Sequence, residues 1–337
     1  MIAARTPVQR RRDARLLVID DRCTIAYAAR ADLADFLEAG DLVIANDAAT
    51  LPASLHGIHS STGAAVELRL AGRSSLAHED LRFSAVVFGS GNWRIRTEDR
   101  PSPPPLVPGD RLALASLVAT VEATLGHPRL VALQFEGAAD AVWEGVARHG
   151  RPIQYAYLDR ALALWDVWTP FAALPVAFEP PSAGFALDWQ FLGTLRRRHI
   201  DFATITLAAG ISSTGDAVLD ARLPLDEAYR ISAATAAAIR RAKVRAGRIV
   251  AVGTTVVRAL EHSLGQAGEG VADQLIGART RLRVVDAVLS GTHEPSESHY
   301  QLLRAFQRDD VLARADIALE AAKYRTHEFG DSVLIFA

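Results

Sequence analysis

A chain of 337 residues, 50% of them hydrophobic, is long enough for two domains and a sizeable core. Its formal charge of −2 sets up no overall field toward a polyanion, and its single cysteine, Cys23, excludes an internal disulfide and a multi-cysteine zinc site. The arginines near the start lack the apolar h-region of a signal peptide, and no apolar run reaches bilayer length, so a soluble, cytoplasmic protein is expected.

Residues 15–20 and 41–46 are short β-branched runs that predict buried strands, with a helix over 31–37 between them closed by Gly40. From 57 to about 135 the texture changes to alternating runs at 64–70, 83–88, 93–96, Arg111–Leu114, 118–125 and Leu130–Phe135. Gly, Pro and Asp punctuate these runs, which predicts a small antiparallel barrel or sandwich. Beyond residue 140 helices and strands alternate: a helix over 188–199 capped by Asp188, a strand over 202–207, and a helix over 232–246 capped by Ser232 and ended by Gly247. Strands at 249–252, 282–289 and Ser332–Phe336 complete the set. The expected fold is therefore mixed α/β, with a main domain of residues 1–56 and 140–337 interrupted by a β domain at 57–139.

The polar residues that follow these strands are the candidate site. Gly253-Thr254-Thr255 joins a buried strand to a helix carrying Arg258 and Glu261; Thr254 or Thr255 is a candidate cap, and the helix start offers N–H groups to electron-rich ligands. Asn46 and Asp47 follow a strand directly, which suits a ligand site or an ordinary turn equally. Pro180-Pro181-Ser182 with Gly184 is a rigid, close-approach segment, or simply a helix entry. Asp226-Glu227 offers a carboxylate base if Glu227 is buried, and a solvated lead-in to a helix if it is not. The loop 290–299 holds His293, Glu294, Glu297 and His299; its spacing matches no standard metal site, so a polar ligand loop without metal is expected. Tyr324, Arg325 and Asp331 offer a stacking face, an anion partner and a hydroxyl or cation partner, or a helix end with a turn. Arg10 to Arg12, Arg196 to Arg198 and the arginines of 240–248 are basic runs that suit RNA or a solvated face.

Taken in order, these stretches resemble the S-adenosylmethionine:tRNA ribosyltransferase-isomerase family of queuosine biosynthesis, over nearly the whole chain. The resemblance rests on Gly40-Asp-Leu-Val-Ile-Ala-Asn-Asp47, Ser61-Thr-Gly63, Pro181-Ser-Ala-Gly184, Ala251-Val-Gly-Thr-Thr-Val-Val-Arg258, Val285-Asp286 with His293, and Tyr324-Arg325 with Phe329-Gly-Asp331. It implies a barrel-like α/β main domain interrupted by an inserted antiparallel β-barrel. It also implies transfer of the ribosyl part of S-adenosylmethionine to 7-aminomethyl-7-deazaguanine in tRNA, with rearrangement to the epoxyqueuosine ring and release of adenine and methionine. S-adenosylmethionine is then a co-substrate, no resident cofactor is needed, tRNA is the partner, and a monomer is expected. Glu227 and His293 are the implied proton-transfer residues. Asn46, Asp47, Ser182, Gly184, Gly253, Thr254, Thr255, Arg258, Tyr324, Arg325 and Asp331 are the implied binding set.

The sequence departs from the family pattern at several polar positions. A family histidine is replaced by Ala186, and Thr206 to Thr214 and Arg222 to Glu227 lack further histidines, the latter keeping only the glutamate. A lysine-bearing segment reads Gly291-Thr-His-Glu-Pro-Ser-Glu297, and an arginine is lost in Asn46-Asp-Ala-Ala49. Either a reduced acid–base set serves the same reaction, or the scaffold handles a small substrate or binds a nucleoside without turnover.

Overall fold

The computed structural model describes residues 1–337 apart from Ser296. A mixed nine-stranded sheet runs in the order Gly268–Ala272, Glu227–Ile231, Asp201–Leu207, Leu42–Asn46, Ile249–Val252, Ala287–Gly291, Ser332–Phe336, Arg15–Ile19 and Ile25–Ala29. Its four central strands, from Asp201–Leu207 to Ala287–Gly291, are mutually parallel. Leu42–Asn46 is buried at every position because apolar side chains cover both faces, so it reads as a continuous run with no alternation. Leu42, Ile44, Ile249 and Ala251 join the core on one face, together with Ala236 and Ile239 of the helix Ala233–Val244 and Val257 and Leu260 of Thr254–Ser263. Val43, Ala45, Val250 and Val252 face the other way, onto Phe191 and Leu195 of Trp189–Arg197. The sheet ends in two free edges, so the barrel-like character expected of the main domain stops short of closure.

Six antiparallel strands between Ser54 and Phe135 close into a barrel, as the alternating texture implied. Leu68, Leu70, Phe83, Val87 and Leu133 fill it and are continuous with the core of the main sheet. The mixed α/β fold with an inserted antiparallel barrel is thus present.

Four local expectations are corrected. Residues 93–96 form turns, because Asn92 accepts the N–H groups of Arg94 and Ile95 and stops any ladder. The strand expected over 282–289 begins only at Ala287: the Glu261 carboxylate takes the N–H groups of Arg283, Val284 and Val285. The helix expected at 31–37 is a 3-10 helix, Arg30–Phe36. At the end of Ala233–Val244 the left-handed residue is Ala246 (φ 56°), and Gly247 serves a different need. A Cβ there would fall 2.0 Å from the Gly40 carbonyl oxygen. Gly247→Ala is expected to lower the unfolding free energy by about 1–3 kcal/mol through this overpacking, read from urea midpoints.

Candidate functional site

The carboxyl ends of the parallel strands lie at one end of the sheet, the place where open α/β folds build ligand sites. The antiparallel partners bring further chain to the same end: Tyr229 pairs with Leu207, and Ser332 with Gly291. Asn46, Asp47, Glu227, Gly253, His293 and Asp331 therefore lie at one end of the sheet, although they are scattered over the sequence.

Several of these side chains are consumed by architecture. Asn46 is buried and stitches two strands together, donating to the Leu207 carbonyl (2.9 Å) and accepting from the Leu207 and Ala48 N–H groups (3.0 Å each). Asp47 accepts from the hydroxyls of Thr204 and Thr206, both at 2.7 Å. Tyr324 is buried, with the Arg15 guanidinium 4.1 Å from its ring centroid, so the expected stacking face is already covered. Asp331 is buried between Arg11 (2.7 Å) and Arg15 (2.9 Å), and also accepts from the Arg325 N–H. The Arg325 side chain pairs with Asp13 at 2.9 Å.

Neither Thr254 nor Thr255 caps the helix Thr254–Ser263. The cap position is Gly253, whose φ of 100° suits glycine, and among the described residues no side-chain cap bonds the helix start. Ser182 and Gly184 lie on the short 3-10 turn Ser182–Ala186, and a Cβ at Gly253 would sit 3.8 Å from that of Ala183. The turn and the helix start are thus adjacent, as a shared binding edge requires. Gly184 is pressed against Thr169 and Phe171, so its lack of a side chain serves packing.

Glu227 is buried, but it opens the strand Glu227–Ile231 instead of leading into a helix. Its carboxylate accepts from Arg258 at 2.5 Å and from the Gly210 N–H at 3.0 Å. Arg258 is equally buried and also donates to the carbonyls of Leu225, Ala272 and Gln274. Burial pushes the Glu227 pKa up against the pull of Arg258.

His293 is better placed for proton transfer. One ring nitrogen, Nδ1, is 2.8 Å from Glu297, and Nε2 is 3.2 Å from the Ser290 hydroxyl. With Glu297 accepting from Nδ1–H, the basic lone pair is on Nε2. Burial of Glu297 is outweighed by the His293 hydrogen bond and charge, which hold its carboxyl below the usual range. His299 stacks on His293 with centroids 4.5 Å apart and planes 8° from parallel, and burial with the His293 charge pushes its pKa down to about 3. His293, Glu297 and His299 each bring a ligand atom within 4.8 Å of the others. Within the cluster the contacts made are the His293–Glu297 hydrogen bond and the stacking of the two rings. Ser296, in the same loop, lies outside the described residues.

The sequence reading missed a second buried carboxyl whose pKa is raised. Glu179 is buried, accepts from the Tyr155 hydroxyl and from the Ser212 N–H at 3.0 Å, and is pushed up to about 7 by burial and by the charge of Glu328. Tyr157 donates to Glu328, and His327 stacks on Tyr157 at 4.2 Å. Tyr155, Glu179, Pro180, Glu328 and Phe329 line a small cavity of about 10 Å³, room for one water. The segment 208–213 separates the two buried carboxylates, giving the Gly210 N–H to Glu227 and the Ser212 N–H to Glu179. A buried Glu179 and a half-buried Glu328, each with a tyrosine donor, suit a cationic group. The available signal was position: Glu179 directly precedes Pro180, and His327 and Glu328 stand inside the stretch from Tyr324 to Asp331.

The titration of Glu179 has a sign that can be measured. Its folded pKa is above the ordinary value of 4.5, so between about 4.5 and 7 the native state holds a proton that the unfolded chain has released. This contribution is fully present below that window and is lost as pH rises through it, by at most about 1.4 kcal/mol per unit. Glu179→Gln is expected to flatten this part of the stability profile relative to wild type, read from urea midpoints at pH 5, 6, 7 and 8.

A sequence model of the family described as "Queuosine biosynthesis protein" matches residues 1–335. The chain belongs to this family. Among its relatives are proteins named S-adenosylmethionine:tRNA ribosyltransferase-isomerase. That of Pelobacter propionicus is 31% identical, covering 99% of this chain and 96% of the relative. Those of Sorangium cellulosum and Azoarcus sp. are 34% and 33% identical, covering 99% of this chain in each case and 95% and 94% of the relative. The fold is shared with the crystal structure of the S-adenosylmethionine tRNA ribosyltransferase from Thermotoga maritima, at a TM-score of 0.52 and 22% identity over 99% of this chain and 96% of that one. Among the described residues, no helix is long and apolar enough to cross a membrane.

Proposed function

We propose that this family member is an S-adenosylmethionine:tRNA ribosyltransferase-isomerase, working as a monomer in the cytoplasm. It places the ribosyl group of S-adenosylmethionine on 7-aminomethyl-7-deazaguanine in tRNA, giving epoxyqueuosine, adenine and methionine. The observation that carries this reading is the end-to-end match, at 31–34% identity, to relatives of that name.

The site chemistry supports it. A sulfonium acidifies the neighbouring C–H, and the reaction needs a base to take that proton. His293, oriented by Glu297, carries its basic lone pair on Nε2, where the Ser290 hydroxyl donates to it, and is the assigned base. Glu227, saturated by Arg258 and Gly210, is assigned to positioning of the segment 208–213. Glu328, and Glu179 in its ionised form, supply negative charge to a substrate pair that brings a sulfonium and an aminomethyl group. The helix start at Gly253 and the turn Ser182–Ala186 offer N–H groups to the polar parts of the cosubstrate.

The test is turnover: purified protein, S-adenosylmethionine and tRNA bearing 7-aminomethyl-7-deazaguanine, with adenine, methionine and epoxyqueuosine followed by mass spectrometry. All three products are expected. Their absence beside an active relative overturns the reading and directs the search to small-molecule acceptors.

A further inference from the structure

The opposite end of the sheet, where the parallel strands begin, gathers basic residues from separate parts of the chain. The helix Ala233–Val244 runs down the sheet from Thr235, which donates to the Thr204 carbonyl, to Gly247, packed on Gly40 just ahead of Leu42. Its last turns carry Arg240, Arg241, Lys243 and Arg245 to that end. The exposed residues Arg279, Arg281 and Arg283 arrive on the segment leading into Ala287–Gly291. Lys243 joins the two by donating to the Arg283 carbonyl at 2.9 Å. Arg245 reaches Asp201 at 3.6 Å; among the described residues no other ion pair involves these seven side chains. Arg240, Arg241 and Arg245, with Ala237 and an 88% exposed Val244, line a shallow groove of about 310 Å³.

The six exposed cations other than Arg245 close on no acidic partner among the described residues and repel one another, and a run of phosphates relieves that repulsion by releasing counterions. On a chain with a formal charge of −2, this clustering is local in origin. We propose that this face is a docking surface for the phosphate backbone of RNA, distinct from the site at the carboxyl ends of the strands. The inference rests on the tRNA reading above and extends it. Asp201–Leu207 has seven residues, so roughly 20 Å separates the two ends. A tRNA whose modified base enters the site is long enough for another part of its backbone to reach this face.

The experiment compares wild type with the combined variant Arg240→Gln, Arg241→Gln, Arg279→Gln, Arg281→Gln, and with the same four positions changed to Lys. Affinity for unmodified tRNA is measured by fluorescence anisotropy across a salt series, with S-adenosylmethionine binding as the control for an intact site. The Gln variant is expected to bind tRNA about tenfold more weakly at low salt, with a shallower slope of log affinity against log salt, by roughly 0.7–0.9 for each phosphate no longer neutralised. The Lys variant is expected to keep both, because a phosphate accepts either cation as a point charge. Wild-type affinity and slope in the Gln variant overturn the proposal, as does a wild type that binds no tRNA. Unchanged tRNA binding with lost binding of polyglutamate assigns the face to an acidic protein and also overturns it. If the Gln variant loses tRNA affinity as expected while wild type releases no adenine, the docking surface stands and the ribosyl-transfer reading falls.

Discussion

Arg258→Met is expected to lower the unfolding free energy by about 3–5 kcal/mol, one of the largest effects available to a single substitution in this chain. The reason is desolvation. Arg258 and Glu227 are both buried and lie 2.5 Å apart. Removing one leaves the other as an uncompensated charge, and removing Arg258 also strips hydrogen bonds from the carbonyls of Leu225, Ala272 and Gln274. Glu227→Gln is expected to cost a comparable amount, since Arg258 then lacks its counter-charge. The double variant Glu227→Gln, Arg258→Met is expected to be more stable than the sum of the singles predicts, because no buried charge remains. Urea midpoints of the four proteins complete the cycle. They also separate two roles for Glu227. A Glu227→Gln protein of near wild-type stability that releases no adenine would restore Glu227 as the base and remove His293 from that part.

The fold was legible where burial writes directly into sequence. Leu42–Asn46 and Ile249–Val252 are covered on both faces, so their β-branched runs stand out. The long barrel strand Leu117–His127 begins with alternate buried and half-buried positions, which is the period a pattern can see. The caps at Asp188 and Ser232 were legible because each bonds an N–H three residues ahead. What escaped depends on partners distant in sequence. Nothing around Glu261 announces that it will take three consecutive N–H groups and hold back a strand. The pairing of Glu227 with Arg258 needs two sheet strands and a helix in place before the charges meet. Asn46 was ambiguous for a physical reason: the side chain that closes a turn with the Ala48 N–H also crosses to Leu207. Glu179 was missed because a glutamate before two prolines looks like a solvated linker, and only Tyr155 and Ser212 make it an interior group.

His293→Ala is expected to slow single-turnover adenine release by about 10²–10⁴-fold, the range that a positioned acid or base contributes. The thermal midpoint should move little by comparison, since the ring gives up two hydrogen bonds, to Glu297 and Ser290, and no buried ion pair. Glu297→Gln keeps an acceptor at Nδ1 but removes the charge that steadies an imidazolium, so its rate should fall between wild type and His293→Ala. Ser290→Ala leaves the dyad intact and takes away only the hydroxyl at Nε2, so a modest loss is expected. The order of these three variants carries more than any one rate. A base oriented by its carboxylate requires His293→Ala to be the slowest and Glu297→Gln to be intermediate, with S-adenosylmethionine and tRNA affinities close to wild type in all three. If His293→Ala turns over at the wild-type rate, the proton goes elsewhere. Glu179 is then the first group to test, because burial beside Glu328 has brought its pKa to about 7 and made it competent to exchange a proton near neutrality.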